Sequence, residues 1–261
     1  MIGNGPVLAE GGPNKILICI LALLAAGAAY GAWSIHSPEY HVGEISLIAA
    51  LAILAGLVFW FSRIRVALFS DGLHYRNLLG EKEMSWEEVD QFYYEATAHS
   101  IHIVIPLGTT YSFKLVDSLG RTVKFGSDVS GAGKIAPILI ERTREHLYKK
   151  MAGIFASGSD VDCGWIRVNR DTGLSIRNSW GGRKQTAWDE VESFAIGSGR
   201  FHIRHRGNKI RINVGTPLGK VSNAFALFQL LKAILRVDTQ EVDPTAPPPS
   251  PPSSESKYQS S

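Results

Sequence analysis

The 261-residue sequence contains an internal duplication, and two copies of one segment are expected to fold in the same way. The stretch Gly72 to Phe92 recurs as Gly173 to Phe194, with nine identical residues and one inserted position. The identical pairs are Gly72 with Gly173, Leu73 with Leu174, Arg76 with Arg177, Asn77 with Asn178, Gly80 with Gly181, Trp86 with Trp188, Glu88 with Glu190, Val89 with Val191 and Phe92 with Phe194. This number of identical residues is larger than chance would produce. The sequence therefore predicts two similar units that follow each other along the chain.

Each copy is followed by segments in which apolar and polar residues alternate, and then by a stretch with helical spacing. The helical pattern runs from about Ile135 to Met151 after the first copy and from about Val221 to Arg236 after the second. The repeated tryptophans are interpreted as core anchors. The pattern predicts two domains, residues 62–151 and 162–236, each built of roughly six or seven short strands closed by one helix.

Four short motifs carry a resemblance to a known superfold. They are Asp71-Gly72-Leu73, Trp86-Glu87-Glu88-Val89, Thr172-Gly173-Leu174 and Trp188-Asp189-Glu190-Val191. On these motifs residues 64–236 resemble two copies of the pleckstrin-homology (PH) superfold, particularly the PH-like domains of poorly characterised bacterial membrane proteins. The resemblance implies an α+β fold of two tandem PH-like units, each a small antiparallel β-barrel or sandwich closed by a C-terminal helix. It implies a fold far more than a function.

Two uncharged apolar runs precede the copies. Ile16 to Trp33 has 18 residues, which as a helix cover about 27 Å, and Ile45 to Phe61 ends in three aromatic residues. Neither run has the polar stripe of a helix at the edge of a soluble core. These features predict a hairpin of two transmembrane helices at residues 16–61. A cleaved secretory signal, with a peptidase site near Ala25 to Ala29, is the alternative for the first run.

The flanking charges predict the orientation of that hairpin. Lys15, Arg63 and Arg65 lie outside the two runs, whereas the intervening Ser34 to Glu44 has no Lys or Arg. By the positive-inside rule both termini would be cytoplasmic, in a multi-pass protein of a bacterial plasma (inner) membrane. Cys19 and Cys163 are interpreted as small apolar residues and not as a disulfide.

The two ends of the chain differ in composition from the rest. Residues 1–15 form an N-terminal polar segment, and residues 237–261 are rich in Pro and Ser and poor in apolar residues. The latter composition predicts a disordered tail. Its run Pro247 to Pro252 favours polyproline II and could bind a partner domain, although an inert tail is the simpler interpretation.

No residue pattern indicates catalysis. The loop Gly126 to Ile135 approaches a phosphate-binding loop, but Asp128 stands where its first glycine would be and Ile135 where its Ser or Thr would be. The His pairs of the repeats lie three residues apart in strand-like segments, so their side chains would point to opposite faces. The predictions are no enzyme, no cofactor and no metal.

Positive charge is concentrated in the second copy. Residues 162–236 carry 13 basic and 5 acidic residues, a net charge of +8, whereas residues 62–150 carry 12 and 11, a net charge of +1. Alternation along the likely hairpin Phe201 to Val214 places one set of basic side chains on its outer face, namely Arg200, Arg204, Lys209 and Arg211. This face is predicted to bind anions, and an ordinary solvated polar face is the alternative.

These observations predict a membrane-anchored, non-catalytic scaffold or binding module whose tandem units contact anionic lipid headgroups or an acidic protein. The alternative is a small membrane regulator that docks another protein through the repeats or the Pro-rich tail, without a lipid role. Nucleic acid is not expected as a partner.

Overall fold

The computed structural model of the chain describes residues 5–34, 42–101, 105–178, 180–206 and 215–235. Contacts divide the chain into two compact units, the first being Met1–Asp90 with Leu115–Leu139 and the second Gln91–Lys114 with Ile140–Ser261. The α-helices are α1 (Lys15–Ser34), α2 (Val42–Ser62), α3 (Ala132–Ala156) and α4 (Ala224–Leu235). The strands are β1 (Val7–Gly11), β2 (Arg65–Phe69), β3 (Gly72–Asn77), β4 (Gly80–Ser85), β5 (Val89–Ile101), β6 (Ile105–Asp117), β7 (Thr122–Gly126), β8 (Val161–Cys163), β9 (Ile166–Asn169), β10 (Gly173–Arg177), β11 (Arg183–Thr186), β12 (Val191–Gly197), β13 (Arg200–His205) and β14 (Gly215–Pro217).

In the first unit, β1 to β4 form an antiparallel sheet in that order. Alternate side chains of β2 and β3 are buried, as expected when one face of a sheet packs against a core, and β4 adds Met84 to that face. The fully buried ones include Val66, Leu68, Leu73 and Met84. β1 comes from the segment that the sequence indicated only as polar, and it is held at the sheet edge by pairing with β2.

Both apolar runs form helices, α1 and α2, which contact each other and lie between β1 and β2 in the chain. Among the described residues, however, none of the helices combines the length and the apolarity that crossing a membrane requires. The predicted transmembrane hairpin at residues 16–61 is therefore wrong, and so is the predicted multi-pass location in a bacterial inner membrane. The prediction rested on the absence of charge and of a polar stripe in both runs, and neither feature alone is sufficient for a membrane span.

The second unit contains a four-stranded antiparallel sheet in the order β11-β10-β9-β8 and a three-stranded sheet in the order β12-β13-β14. Helix α4 buries most of its side chains in this unit. Asn223 fixes the start of α4, because its backbone N–H donates to the carbonyl of Phe92 at 2.7 Å and its side-chain oxygen accepts from the Phe92 N–H at 2.7 Å. These two hydrogen bonds join Asn223 to Phe92 in the way that two backbone hydrogen bonds join a pair of opposed residues in an antiparallel sheet.

The predicted fold class, a membrane hairpin followed by two closed α+β units, is also wrong. Over the described residues the strands form four small antiparallel sheets, and none of the four α-helices there could span a membrane. In each copy a single 3-10 turn, Trp86–Glu88 or Trp188–Glu190, interrupts the strands, so that the chain leaves one sheet and enters another. The PH-like resemblance and the domain boundaries stay predictions, and the Pro-rich tail lies outside the described residues.

The repeated tryptophans differ in burial. Trp86 is buried and its indole N–H donates to the carbonyl of Phe69 at 3.0 Å. Trp188 is only half-buried, although its indole N–H donates to the carbonyl of Arg170 at 2.9 Å and its ring meets Phe155 edge-on. The core-anchor interpretation therefore fits the first copy better than the second.

Candidate anion-binding site

The outer face of β13 carries two of the four basic residues that the sequence indicated. Phe201 and Ile203 are buried, while Arg200 and Arg204 are exposed, as alternation along a strand requires. Lys209 and Arg211 lie outside the described residues. The cluster of four basic residues therefore stays a prediction. The structure describes two of its members, Arg200 and Arg204, on the same face of β13.

Neither described arginine on β13 projects freely from the surface. One guanidinium nitrogen of Arg200, Nη1, donates to the carbonyl of Gly215 at 2.8 Å. The Nε of Arg204 lies 3.3 Å from the carboxylate of Glu192, in an ion pair that is about half exposed. The charge of Arg204 is therefore already compensated in part, and this face is less positive than its sequence suggests.

A second group of arginines, which the sequence analysis did not single out, lies on the sheet of the same unit. Arg177 of β10 stands directly opposite Arg183 of β11, and both side chains are exposed. Side chains in such opposed positions have Cβ atoms about 5 Å apart, so the two positive charges repel. Arg183 donates to the carbonyl of Gly164 at 3.1 Å, but neither arginine forms an ion pair within the described part of the chain.

The first copy shows what usually balances such a position. There Arg76 stands opposite Glu81, and the guanidinium Nε lies 3.2 Å from the carboxylate. In the alignment of the copies Arg76 corresponds to Arg177 and Glu81 to Arg183. The second copy has therefore replaced an ion pair by an arginine pair. Comparison of the two copies in the sequence shows Arg183 in the place of Glu81, whereas the opposition of Arg183 to Arg177 follows from the strand register.

Arg167 of β9 is near this arginine pair but is neutralised by acids. Its guanidinium lies 2.6 Å from the carboxylate of Asp162 and 3.6 Å from that of Asp160. Partial burial opposes ionisation of Asp162, but the hydrogen bonds from Arg167 and from the Gly164 N–H, with the charges of Arg167 and Arg183, lower the pKa of its carboxyl. Arg177 and Arg183 are thus the arginines of this sheet whose charge is least compensated.

The phosphate-loop-like segment of the first unit has a structural role. Ser130 N–H donates to the carbonyl of Gly12 at 2.7 Å, and the side-chain amide of Asn14 donates to the carbonyl of Ser127 at 2.8 Å. Asp128 closes the loop by accepting from the Gly126 N–H at 2.7 Å. The loop thereby fastens the N-terminal segment to the unit.

Other chemically reactive groups are sparse in the part of the chain that the structure describes. No group of three or more His, Cys, Asp or Glu side chains in those ranges is placed to hold a metal ion. Cys163 is fully buried, and burial raises the pKa of its thiol, which favours the unreactive protonated form.

Comparison with known proteins gives one match. A family model described as "Family of unknown function (DUF6585)" matches residues 5–240. The chain belongs to this family. A search of curated proteins and a search of solved structures each found no match.

In this family member the arginine pair suggests one kind of chemistry. A guanidinium group is planar and carries five N–H donors in a fork that fits two oxygens of a phosphate or carboxylate. Two such groups on adjacent strands can share one anion, which also removes their mutual repulsion. Two neighbouring guanidinium groups are therefore chemically suited to phosphate or carboxylate oxygens.

Proposed function

We propose that this chain is a non-catalytic binding module that recognises anionic groups through its second repeat. The observation that carries the proposal is the exchange of the Arg76–Glu81 ion pair of the first copy for the opposed Arg177 and Arg183 of the second. Like charges in opposed strand positions lower the stability of a sheet. An anion bound between them offsets that cost.

The distribution of charge supports the same proposal. Residues 162–236 have a net charge of +8, compared with +1 for residues 62–150, although the two copies share their turn and core residues. The excess of basic residues is therefore specific to one of two similar copies. Arg200, which donates to the neutral carbonyl of Gly215, extends the positive charge to a second sheet of the same unit, where Arg204 is paired with Glu192.

A purely solvated polar face explains these features less well. Exposed basic residues on such a face are usually mixed with acids, as the first copy shows in the contacts of Glu81 with both Arg76 and His74. The Arg177 and Arg183 pair has no such direct ion pair within the described residues, and only the charge of Asp162 acts on Arg183.

The proposal is tested with the full-length chain and two probes, vesicles that contain phosphatidylglycerol and the acidic polymer poly-glutamate. Arg177→Gln combined with Arg183→Gln should weaken binding to at least one probe by about tenfold or more, and high salt should do the same. Ala at Arg200, Arg204, Lys209 and Arg211 measures the contribution of the β13 face separately.

A matched control removes the same amount of charge elsewhere. Lys149→Gln with Lys232→Gln takes two exposed lysines from helices α3 and α4 and should leave binding nearly unchanged. If the arginine variant binds both probes as tightly as this control does, the proposal is refuted. Binding to poly-glutamate alone would identify an acidic protein as the partner.

A further inference from the structure

A tryptophan stands almost wholly in solvent at the turn between β10 and β11. The side chain of Trp180 is 96% exposed. Tryptophan is highly buried on average in folded proteins, and its large apolar ring gains free energy when removed from water. An almost fully exposed indole at the end of a hairpin therefore indicates that this end of the hairpin binds another surface.

The turn holds this ring outward by its own hydrogen bonds. The side-chain oxygen of Asn178 accepts from the Trp180 N–H at 3.1 Å, and the backbone N–H of Asn178 donates to the Gly182 carbonyl at 2.8 Å. Gly181 has a φ of +87°, which glycine adopts without strain. A Cβ added at Gly181 would meet no atom within 4 Å in the part of the chain that the structure describes.

The arginine pair flanks this tip. Arg177 and Arg183 are the last paired residues before the turn, and Trp180, three residues from each, lies at most about 10 Å beyond them at roughly 3.3 Å per residue. Segments that rest on a membrane surface bury their apolar groups about 5–10 Å into the headgroup region. Tryptophan favours that region, and arginine binds the phosphates above it.

We propose that the β10–β11 tip binds the surface of an anionic lipid bilayer, with the Trp180 ring inserted among the headgroups and Arg177 and Arg183 on lipid phosphates. This inference rests on the proposed function, and it identifies the anionic partner as a lipid bilayer. The convex shape of the tip favours a bilayer over an acidic peptide. A peptide is usually held along a groove or a strand edge, whereas one protruding ring suits a deformable surface.

The first copy supplies a matched comparison. Its turn is fixed in the same way, because the side-chain oxygen of Asn77 accepts from the Leu79 N–H at 2.9 Å, and Leu79 is 83% exposed. At its base, however, Arg76 is paired with Glu81. The tip of the first copy therefore carries an exposed apolar side chain without a pair of opposed arginines. For this reason Leu79→Ala is the control for Trp180→Ala.

The test uses the full-length chain and phosphatidylcholine vesicles with or without phosphatidylglycerol. Trp180→Ala should weaken binding to the anionic vesicles about tenfold, Trp180→Phe should keep most of it, and Leu79→Ala should change it less than twofold. Brominated lipids should quench wild-type fluorescence more than that of Trp180→Phe. This difference reports the position of the Trp180 ring itself, whatever else of the chain meets the bilayer.

The outcomes separate this inference from the proposed function. If the arginine variant loses vesicle binding while Trp180→Ala and the quenching difference show no effect, tip insertion is overturned and the proposed function stands. Binding of wild type to poly-glutamate but not to vesicles would also overturn the bilayer inference, in favour of an acidic protein. If the arginine variant binds both probes like wild type, the proposed function fails as well.

Discussion

The hairpins β3–β4 and β10–β11 share their backbone design and differ in what they display. Both turn at an asparagine whose side chain accepts a backbone N–H two residues on, and both contain a glycine with positive φ, Gly80 or Gly181. The first displays Leu79 above a balanced ion pair, and the second Trp180 above two arginines. The residues that fix the turn are thus retained in both copies, while the exposed positions are free to change function.

The largest expected difference between the copies concerns their tryptophans. Trp86→Ala should lower the free energy of unfolding by about 3–5 kcal/mol, because it empties a buried site and leaves the Phe69 carbonyl without its donor. Trp188→Ala should cost less, about 1–3 kcal/mol, because the ring is half-buried. Amide hydrogen exchange of β3 and of β10 measures the effect in each sheet separately.

Phenylalanine at each position is the control for this comparison. Trp86→Phe and Trp188→Phe keep most of the apolar contact and remove the indole donor, so they separate packing from hydrogen bonding. Equal losses of protection for Trp86→Ala and Trp188→Ala would show that the two tryptophans anchor their copies equally.

An exchange of charge between the hairpins should move stability and binding in opposite directions. Arg183→Glu restores the arrangement of the first copy, so the sheet β8–β11 should gain up to about 1 kcal/mol. Since two units of charge are lost at the site, affinity for anionic vesicles should fall about 30-fold, at roughly 1 kcal/mol per charge. Vesicle titration and amide exchange on the same sample measure both quantities.

The reciprocal change, Glu81→Arg, is the control. It removes the partner of Arg76, and therefore the first sheet should lose less than about 1 kcal/mol, as is usual for an exposed ion pair. Affinity for anionic vesicles should rise slightly. A loss of affinity in both variants would contradict the assignment of binding to the second copy.

Sequence reasoning succeeded where a local pattern decides the structure and failed where pairing decides it. Alternation alone predicts that Phe201 and Ile203 are buried and that Arg200 and Arg204 are exposed. The opposition of Arg177 to Arg183 depends on strand register, which is evident only once the turn is known. The position of β1 depends on pairing with a strand more than fifty residues later in the chain.

The errors about the membrane hairpin have a related cause. A run without charge, such as Ile16 to Trp33, satisfies one requirement of a membrane span, but the absence of charge does not by itself decide whether a helix crosses a membrane. The half-buried state of Trp188 also escaped prediction, because its counterpart Trp86 lies in a similar motif with the same Glu and Val two and three residues on. Similar motifs form the same local turn, but the burial of the tryptophan depends on the surrounding packing.

The smallest expected effect lies at the 3-10 turns that follow β4 and β11. Ser85 caps the first turn, its hydroxyl accepting from the Glu87 N–H at 3.4 Å, whereas Ala187 at the same place has no such acceptor. Both residues have the extended backbone that a capping side chain needs, with φ near −67° and −69°. Ser85→Ala should therefore destabilise the first sheet by about 0.5–1 kcal/mol, and Ala187→Ser should stabilise the second by a similar amount.

Amide exchange in β4 and β11 measures the two cap variants, with Ala187→Gly as the control. Glycine supplies no acceptor and adds backbone freedom, so it should not stabilise the turn. In both copies the residue three positions on, Glu88 or Glu190, accepts from the backbone N–H of the cap residue, and this bond survives each substitution. If Ala187→Ser stabilises no more than glycine does, the hydroxyl contributes little even in the first copy, and the difference between the turns lies in their packing.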